Sequence, residues 1–405
     1  YWIEESKEIT GELFNEINLL AISISPSSIS FSISFFILLI SSGCGGSSSG
    51  SNPNMKLDLQ MPKPTQDRQK YLMDSAQGYF DRWVGRGAFS GQFLLAKNGH
   101  VLFSKASGFS KVETGEKMTL DTRIHVASIS KVATALAILR LVDQGKVALN
   151  QKVSFYLPKF PYKAITVRML LNHRSGLANY IYFADEFTDR KTVLTNKDLI
   201  PLMRKHKIPL NAKPGTHFAY CNTNYAVLAL IVEKATSLSF PKAMEQLLFK
   251  PLDMDHSLIA SNKKDYDAYS RNYKQNNFWN GFTYQDAVYG DKNLYTTAFD
   301  LVKLDRATYF SSFLSDSLRK QMYRGYSYEH PGIRNYGLGV RLKEKKGKNT
   351  FFFHTGWWHG NTGIYCSLRK DTICIIAISN NMNKRVYNQG PLVKACGNYV
   401  INDEE

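Results

Sequence analysis

Cysteine is scarce in this 405-residue chain, five in all, and acidic residues are outnumbered, 34 Asp and Glu against 51 Lys and Arg. Five thiols without metal-ligand spacing supply neither a zinc site nor a disulfide framework. Cys366 and Cys374 flank a turn expected at Arg369-Lys-Asp371, close enough for a bridge, although buried free thiols are the expected state. No internal repeat or low-complexity tract interrupts the body, which excludes a solenoid. The apolar-rich run Phe31 to Ile40 is too short to span a bilayer.

That run suits the core of a signal peptide instead. Small residues lead to Cys44, and Gly45-Gly-Ser-Ser-Ser-Gly-Ser51 follows. The arrangement resembles a bacterial lipoprotein signal, which implies a segment 1–44 lipidated at Cys44, a flexible tether over 45–65 and a folded body over 66–405. The implied location is the cell envelope, with the membrane reached through the lipid. The residues before the apolar run are acidic rather than basic, a departure from that pattern, and translation from Met55 would leave a cytoplasmic protein.

The formal charge is +17, and the first 44 residues hold one Lys and five Glu, so the body is more basic still. A basic body attracts polyanions. Its Lys and Arg are scattered, however, and no nucleic-acid-binding motif accompanies them, so no nucleic acid partner is expected.

Along the body, Asp67 to Val84 has one apolar stripe of Leu72, Ala76, Tyr79, Phe80 and Trp83, the mark of an amphipathic helix. Two β-rich runs then flank Asn98-Gly99, the strongest short hairpin signal because both turn positions need positive φ. From Ser128 to about Phe310 the signals are mostly helical, with Gly145 placed to end the first helix and Thr166 to cap a later one. The last third returns to strands at Tyr336–Leu342, Thr350–His354, Gly363–Leu368 and Thr372–Ser379, before a closing helix within 391–401. The sheet is therefore discontinuous in sequence, closed by the two chain ends. A helical lobe hangs from one edge.

Chemistry is concentrated where that lobe begins. Ser128 and Lys131 stand three apart at the mouth of an apolar helix, so they share a face, with an amine beside a hydroxyl. A hydroxyl is a weak nucleophile until a base takes its proton, and a desolvated lysine is such a base. The first turn also offers unpaired N–H groups to an oxyanion. Spacing alone is weak, since Ser-x-x-Lys recurs at Ser239/Lys242, Ser261/Lys264, Ser317/Lys320 and Ser367/Lys370. Ser128 differs in opening a long helix that is apolar nearly all round. Two further triplets are each unique in the chain: Tyr220-Cys-Asn222 in an expected loop, and His354-Thr-Gly356 at a strand end, followed by Trp357-Trp358. Tyr220 can share a proton with Lys131 and Ser128, Asn222 can orient the lysine or grip a carbonyl, and Gly356 lets a substrate backbone lie against its strand. His173, before Ser175-Gly176, reads as a turn-fixing residue rather than a catalytic one.

In order and spacing these motifs resemble the penicillin-recognising serine hydrolases: class C beta-lactamases, D-alanyl-D-alanine carboxypeptidases and related esterases. Leu170–Leu177, Pro251–Met254 and Asn293–Asp300 are similar to that family too, and the likeness runs from about residue 68 to the C-terminus. The resemblance implies an α+β fold of the beta-lactamase/transpeptidase type: an antiparallel five-stranded sheet flanked by N- and C-terminal helices. Its sheet part would be about 66–127 and 311–405, with an inserted, mostly helical lobe over about 128–310. It implies a monomer acting on a small peptide, ester or lactam with no metal and no cofactor. Ser128 would attack the acyl carbonyl, Lys131 and Tyr220 would share the base role, and the N–H groups of Ser128 and Trp357 would form the oxyanion hole. Asn222, His354, Thr355 and Gly356 would line the substrate.

Two departures bear on the substrate. His354 stands where beta-lactamases usually carry Lys, so the cation there is expected to be weaker and to vary near neutral pH. Trp357 and Trp358 are expected to crowd the oxyanion hole. A carboxypeptidase-like or esterase activity is therefore expected ahead of penicillin hydrolysis. The alternatives are a true beta-lactamase and an inactive domain that binds wall fragments or a partner.

Overall fold

The computed structural model describes residues 57, 59–87, 89–274 and 278–402. Cys44, the whole segment 1–44 and the start of the tether lie outside them.

The amphipathic start forms α1 (Gln66–Tyr79), which turns Leu72, Ala76 and Tyr79 inward. Its last turn widens into a π-turn over Phe80–Val84. The wider turn rotates the buried stripe onward, so Val84 is buried while Trp83, expected inside, is exposed. The hairpin of β1 (Gly91–Lys97) and β2 (His100–Ser107) follows, with Asn98 at φ 54° and Gly99 at φ 71° as its turn requires. The lobe holds α2 (Ser130–Asp143), α3 (Val167–Leu171), α4 (Tyr180–Phe187), α5 (Asn222–Thr236) and α6 (Ala298–Ala307). Gly145 leaves α2 at φ 70°, and the Thr166 hydroxyl accepts from Met169 N at 3.3 Å to cap α3. The chain then returns to strands β3 (Arg334–Tyr336), β4 (Arg341–Lys343), β5 (Phe351–Trp358), β6 (Asn361–Leu368) and β7 (Ile373–Ser379). It closes on α7 (Gly390–Cys396).

The sheet order is β2-β1-β7-β6-β5-β4-β3, every pair antiparallel. Five long strands form the expected sheet, and the short hairpin β3–β4 extends it to seven. That hairpin occupies the stretch read as one strand over Tyr336–Leu342. The chain reverses there because Gly339, at φ 86°, passes so close to α2 that a side-chain Cβ would lie 2.3 Å from the Ala135 Cβ.

Both faces of the sheet are covered at its centre, which is why β7 is apolar at nearly every position rather than at every second one. Alternation sends Leu94, Ala96, Ile376 and Ile378 into the core shared with the lobe. Phe93, Leu95, Ile375 and Ala377 go to the core under α1 and α7. The cysteines obey the same rule. Cys366 pairs with Ile375 and packs under the terminal helices, whereas Cys374, opposite Ser367, packs toward the lobe. The two thiols are free and lie on opposite faces, so the bridge considered from sequence is sterically excluded.

Ile376 lies on a central strand and is fully buried. Its replacement by alanine is expected to destabilise the fold by about 2–5 kcal/mol, lowering the urea midpoint with an unchanged denaturant slope.

Candidate active site

A strained turn presents the serine. Val126 is tied to the lobe by its N–H to the Leu294 carbonyl at 3.0 Å. Ala127 then takes φ 48°, a left-handed conformation unfavourable for a residue with a Cβ, and residues Ala127–Ile129 form a 3₁₀ turn leading into α2. Lys131, three residues on in the first turn of α2, returns to the same side as Ser128. Ser128 is half-buried, while Lys131 has no exposed surface. The Lys131 Nζ lies 2.9 Å from Ser128 Oγ, 2.8 Å from Asn222 Oδ1 and 2.9 Å from the Asp291 carbonyl. Asn222 and Asp291 offer acceptors alone. They orient two N–H bonds and leave the third position of the nitrogen facing the hydroxyl.

Tyr220 stands at the end of a loop zipped onto the segment after α3. Asn211 N donates to Gly176 O at 2.8 Å, Gly215 N to Arg174 O at 2.8 Å and Ala219 N to His173 O at 2.9 Å. Arg174 donates to the Gly215 and Thr216 carbonyls, both at 3.0 Å, and reaches across to the Tyr326 carbonyl at 3.0 Å. His173 does more than fix a turn. Its Nδ1 accepts from Cys221 N at 3.1 Å and Asn224 Nδ2 at 2.9 Å, and its ring lies 4.4 Å from that of Tyr220. Burial first, then the charges of Lys131 and Arg341, hold His173 well below the usual histidine range, so it remains a neutral acceptor.

Strand β5 closes the site from the other side. A Cβ on Gly356 would lie 2.3 Å from the Val126 carbonyl. The glycine is therefore needed for the strand to pack against the serine turn, a protein contact where the sequence pointed to room for a substrate backbone. His354, on the same face, is fully buried, with Nε2 3.1 Å from the Tyr336 hydroxyl. Burial, Arg341 and Lys131 push it well below the ordinary value. The imidazole is neutral throughout the neutral range, which corrects the expectation that its charge varies there. The pleat directs Thr355 and Trp357 to the opposite face. The exposed Trp357 indole meets Met382 Sδ at 3.3 Å, so of the two tryptophans expected near the oxyanion hole, only the Trp358 side chain shares the face of Gly356.

Arg341 is the cation the motifs did not reveal. On β4, its guanidinium carbon is 4.7 Å from the Tyr220 ring centroid and 5.9 Å from that of Tyr336. Lys131 Nζ is 5.0 Å from the same Tyr220 ring. Burial alone would raise the Tyr220 phenol. Lys131 and Arg341, with hydrogen bonds involving Ser128 and Lys131, outweigh it and hold the phenol below its ordinary value.

The competing Ser-x-x-Lys pairs have other partners. Lys242 binds Glu245 at 2.8 Å, Ser261 Oγ meets Asp265 at 3.3 Å, Ser317 and Lys320 lie on the helix Asp316–Met322, and Ser367 lies inside β6. Among the described residues no cluster of His, Cys, Asp or Glu could hold a metal ion.

Comparison with known proteins agrees with this geometry. The family model Beta-lactamase matches residues 76–392. The chain belongs to the beta-lactamase family. Penicillin-binding protein 4* of Bacillus subtilis (strain 168) is 26% identical over 348 residues, 82% of this chain and 76% of its own length. The D-amino acid amidase of Ochrobactrum anthropi SV3 superposes with a TM-score of 0.67 at 20% identity, covering 80% of this chain and 98% of its own. EstCE1, described as a hydrolase with promiscuous acyltransferase activity, gives 0.67 at 21% identity, covering 82% of this chain and all of its own. Both likenesses confirm the beta-lactamase/transpeptidase-like fold. In this family member, Ser128, Lys131, Tyr220 and Asn222 converge as the motifs predicted, and His354 and Gly356 reach the site as buried supports.

Among tyrosines with a resolved shift, Tyr220 is lowered while neighbours such as Tyr225 and Tyr336 are raised by burial. A tyrosinate absorbance titration should show an ionisation below the usual phenol range that is missing in Tyr220→Phe. In Arg341→Met it should move to higher pH, because loss of the cation disfavours the phenolate. An unchanged titration would dissociate Arg341 from the phenol.

Proposed function

We propose that the protein is a serine acyl hydrolase that cleaves an amide or ester through an acyl-enzyme on Ser128. The observation that carries this reading is the Lys131 Nζ, buried and oriented by Asn222 and Asp291, 2.9 Å from the serine oxygen. Ser128 Oγ attacks the carbonyl carbon while its proton passes to the Lys131–Tyr220 pair. The oxygen that gains the negative charge is held by the backbone N–H groups of Ser128 and Trp357. Tyr220 then protonates the leaving amine or alcohol, and water releases the acyl group as an acid, restoring the serine.

The family also supports this chemistry, since its relatives include a named penicillin-binding protein and a D-amino acid amidase. Within it, a peptidase or esterase role is favoured over lactam hydrolysis. His354 brings no charge to the site, and Arg341 is engaged with the Tyr220 ring. Attachment to the cell envelope through a lipid on Cys44 is part of the proposal. Loss of detergent-phase partitioning in Cys44→Ala would support it, and unchanged partitioning would count against it.

Intact-mass analysis after exposure to a penicillin, a depsipeptide and an ester should show an acyl adduct on the wild type and none on Ser128→Ala. Lys131→Met should slow acylation by about 10²–10⁴-fold. Faster turnover of a penicillin than of the ester or depsipeptide would identify a beta-lactamase instead. Absence of any adduct would favour a binding domain.

A further inference from the structure

Asp291, Lys292 and Asn293 are consecutive and polar, and each is at most 2% exposed. Such a run is expensive to bury, and an ion pair in that setting generally stabilises a fold no better than well-packed apolar side chains. Its connections suggest another use. The Asp291 carbonyl accepts from Lys131 Nζ, while its carboxylate accepts from the Tyr180 hydroxyl at 3.0 Å and lies 3.8 Å from Lys292 Nζ. Lys292 donates to the Tyr180 hydroxyl and, at 3.1 Å, to the Val288 carbonyl. Its Nζ also lies 4.8 Å from the centroid of the Trp358 ring. The Trp358 indole N–H donates to Asp286 Oδ1 at 2.6 Å, so the end of β5 is held twice by the same segment.

We propose that Lys292 is a positioning residue for the reaction at Ser128, clamping both the Asp291 peptide that receives Lys131 and the Trp358 end of the strand that carries Gly356. The inference rests on the hydrolase reading above. One buried ammonium thereby keeps the base and the oxyanion strand in a single geometry. It also contributes charge. The titratable and charged groups facing it are Asp291, Asp286, Tyr180, Lys131, His125 and His359. Burial lowers the pKa of Lys292, Asp291 and Asp286 offset this, and Lys131 lowers it further.

The test compares Lys292→Met with the double variant Asp291→Asn/Lys292→Met, which still offers a backbone carbonyl at residue 291 and leaves no carboxylate there without its lysine. Folding is followed by circular dichroism, and Ser128 labelling by a fluorophosphonate is followed across pH, alongside kcat and KM for an ester. A folded variant should be labelled roughly 10²-fold more slowly, the scale of a small misplacement at a reacting centre. KM should stay within about twofold, because ground-state binding is untouched. The loss should therefore fall on kcat and on the labelling rate with KM retained, a split that general loosening of the fold would not produce. A wild-type labelling rate in a folded variant would overturn the inference while leaving the hydrolase reading intact. Unfolding of both variants would make Lys292 a folding residue and overturn it as well. Wild-type labelling that persists in Ser128→Ala, or none at all, would remove the hydrolase reading and this inference with it.

Discussion

A lysine amine without solvent access must find its partners inside the protein, and at Lys131 this requirement shapes everything around it. The three oxygens around Nζ come from three separate places: the turn before α2, the first residue of α5 and the peptide at Asp291. Each must arrive within hydrogen-bond distance at once. The lobe can satisfy that demand only if α2 and α5 pack side by side and segment 286–293 runs beneath them. The apolar faces of both helices, buried along nearly their whole length, provide that packing.

The sheet contributes through proximity. Gly356 allows β5 to approach the Val126 carbonyl, and Gly339 allows the β3–β4 hairpin to lie against α2. These two contacts bring Arg341 and His354 to the Tyr220 ring, since both side chains project from strands whose distance from the lobe the glycines set. A larger residue at 339 would push the strand bearing Arg341 away from the phenol, whereas one at 356 would collide first with the Val126 carbonyl of the serine turn. Sheet packing and the surroundings of the Tyr220 phenol are therefore coupled at backbone contacts.

The parts of this arrangement legible in sequence share a feature: they are local. The 3₁₀ turn and the helix start place Ser128 and Lys131 by spacing alone, Asn98-Gly99 fixes its hairpin through its own backbone, and Thr166 caps its own helix. Resemblance supplied the convergence of Tyr220 and His354 with them. What remained hidden depends on tertiary placement. Tyr336–Leu342 reads as one strand because nothing local shows that Gly339 must pass against Ala135. Arg341 is one of many scattered cations until the register Phe353↔Arg341 sets it beside Tyr220. His173 looks like a turn residue because its two hydrogen-bond donors lie about fifty positions away. Lys292 carries no motif at all.

Electrostatics gives these hidden residues a common logic. Two cations, Lys131 and Arg341, press on a single phenol, while the two imidazoles packed nearest, His173 and His354, are kept neutral by burial and by those same cations. The positive charge of the site is thus concentrated on Tyr220. A neutral His354 cannot act as a fixed anchor for a substrate carboxylate, whereas a phenol held below its ordinary pKa is a better proton acceptor at neutral pH than a free tyrosine would be. In this family member the cationic charge is directed at the Tyr220 phenol, beside the Ser128 hydroxyl, rather than at His354.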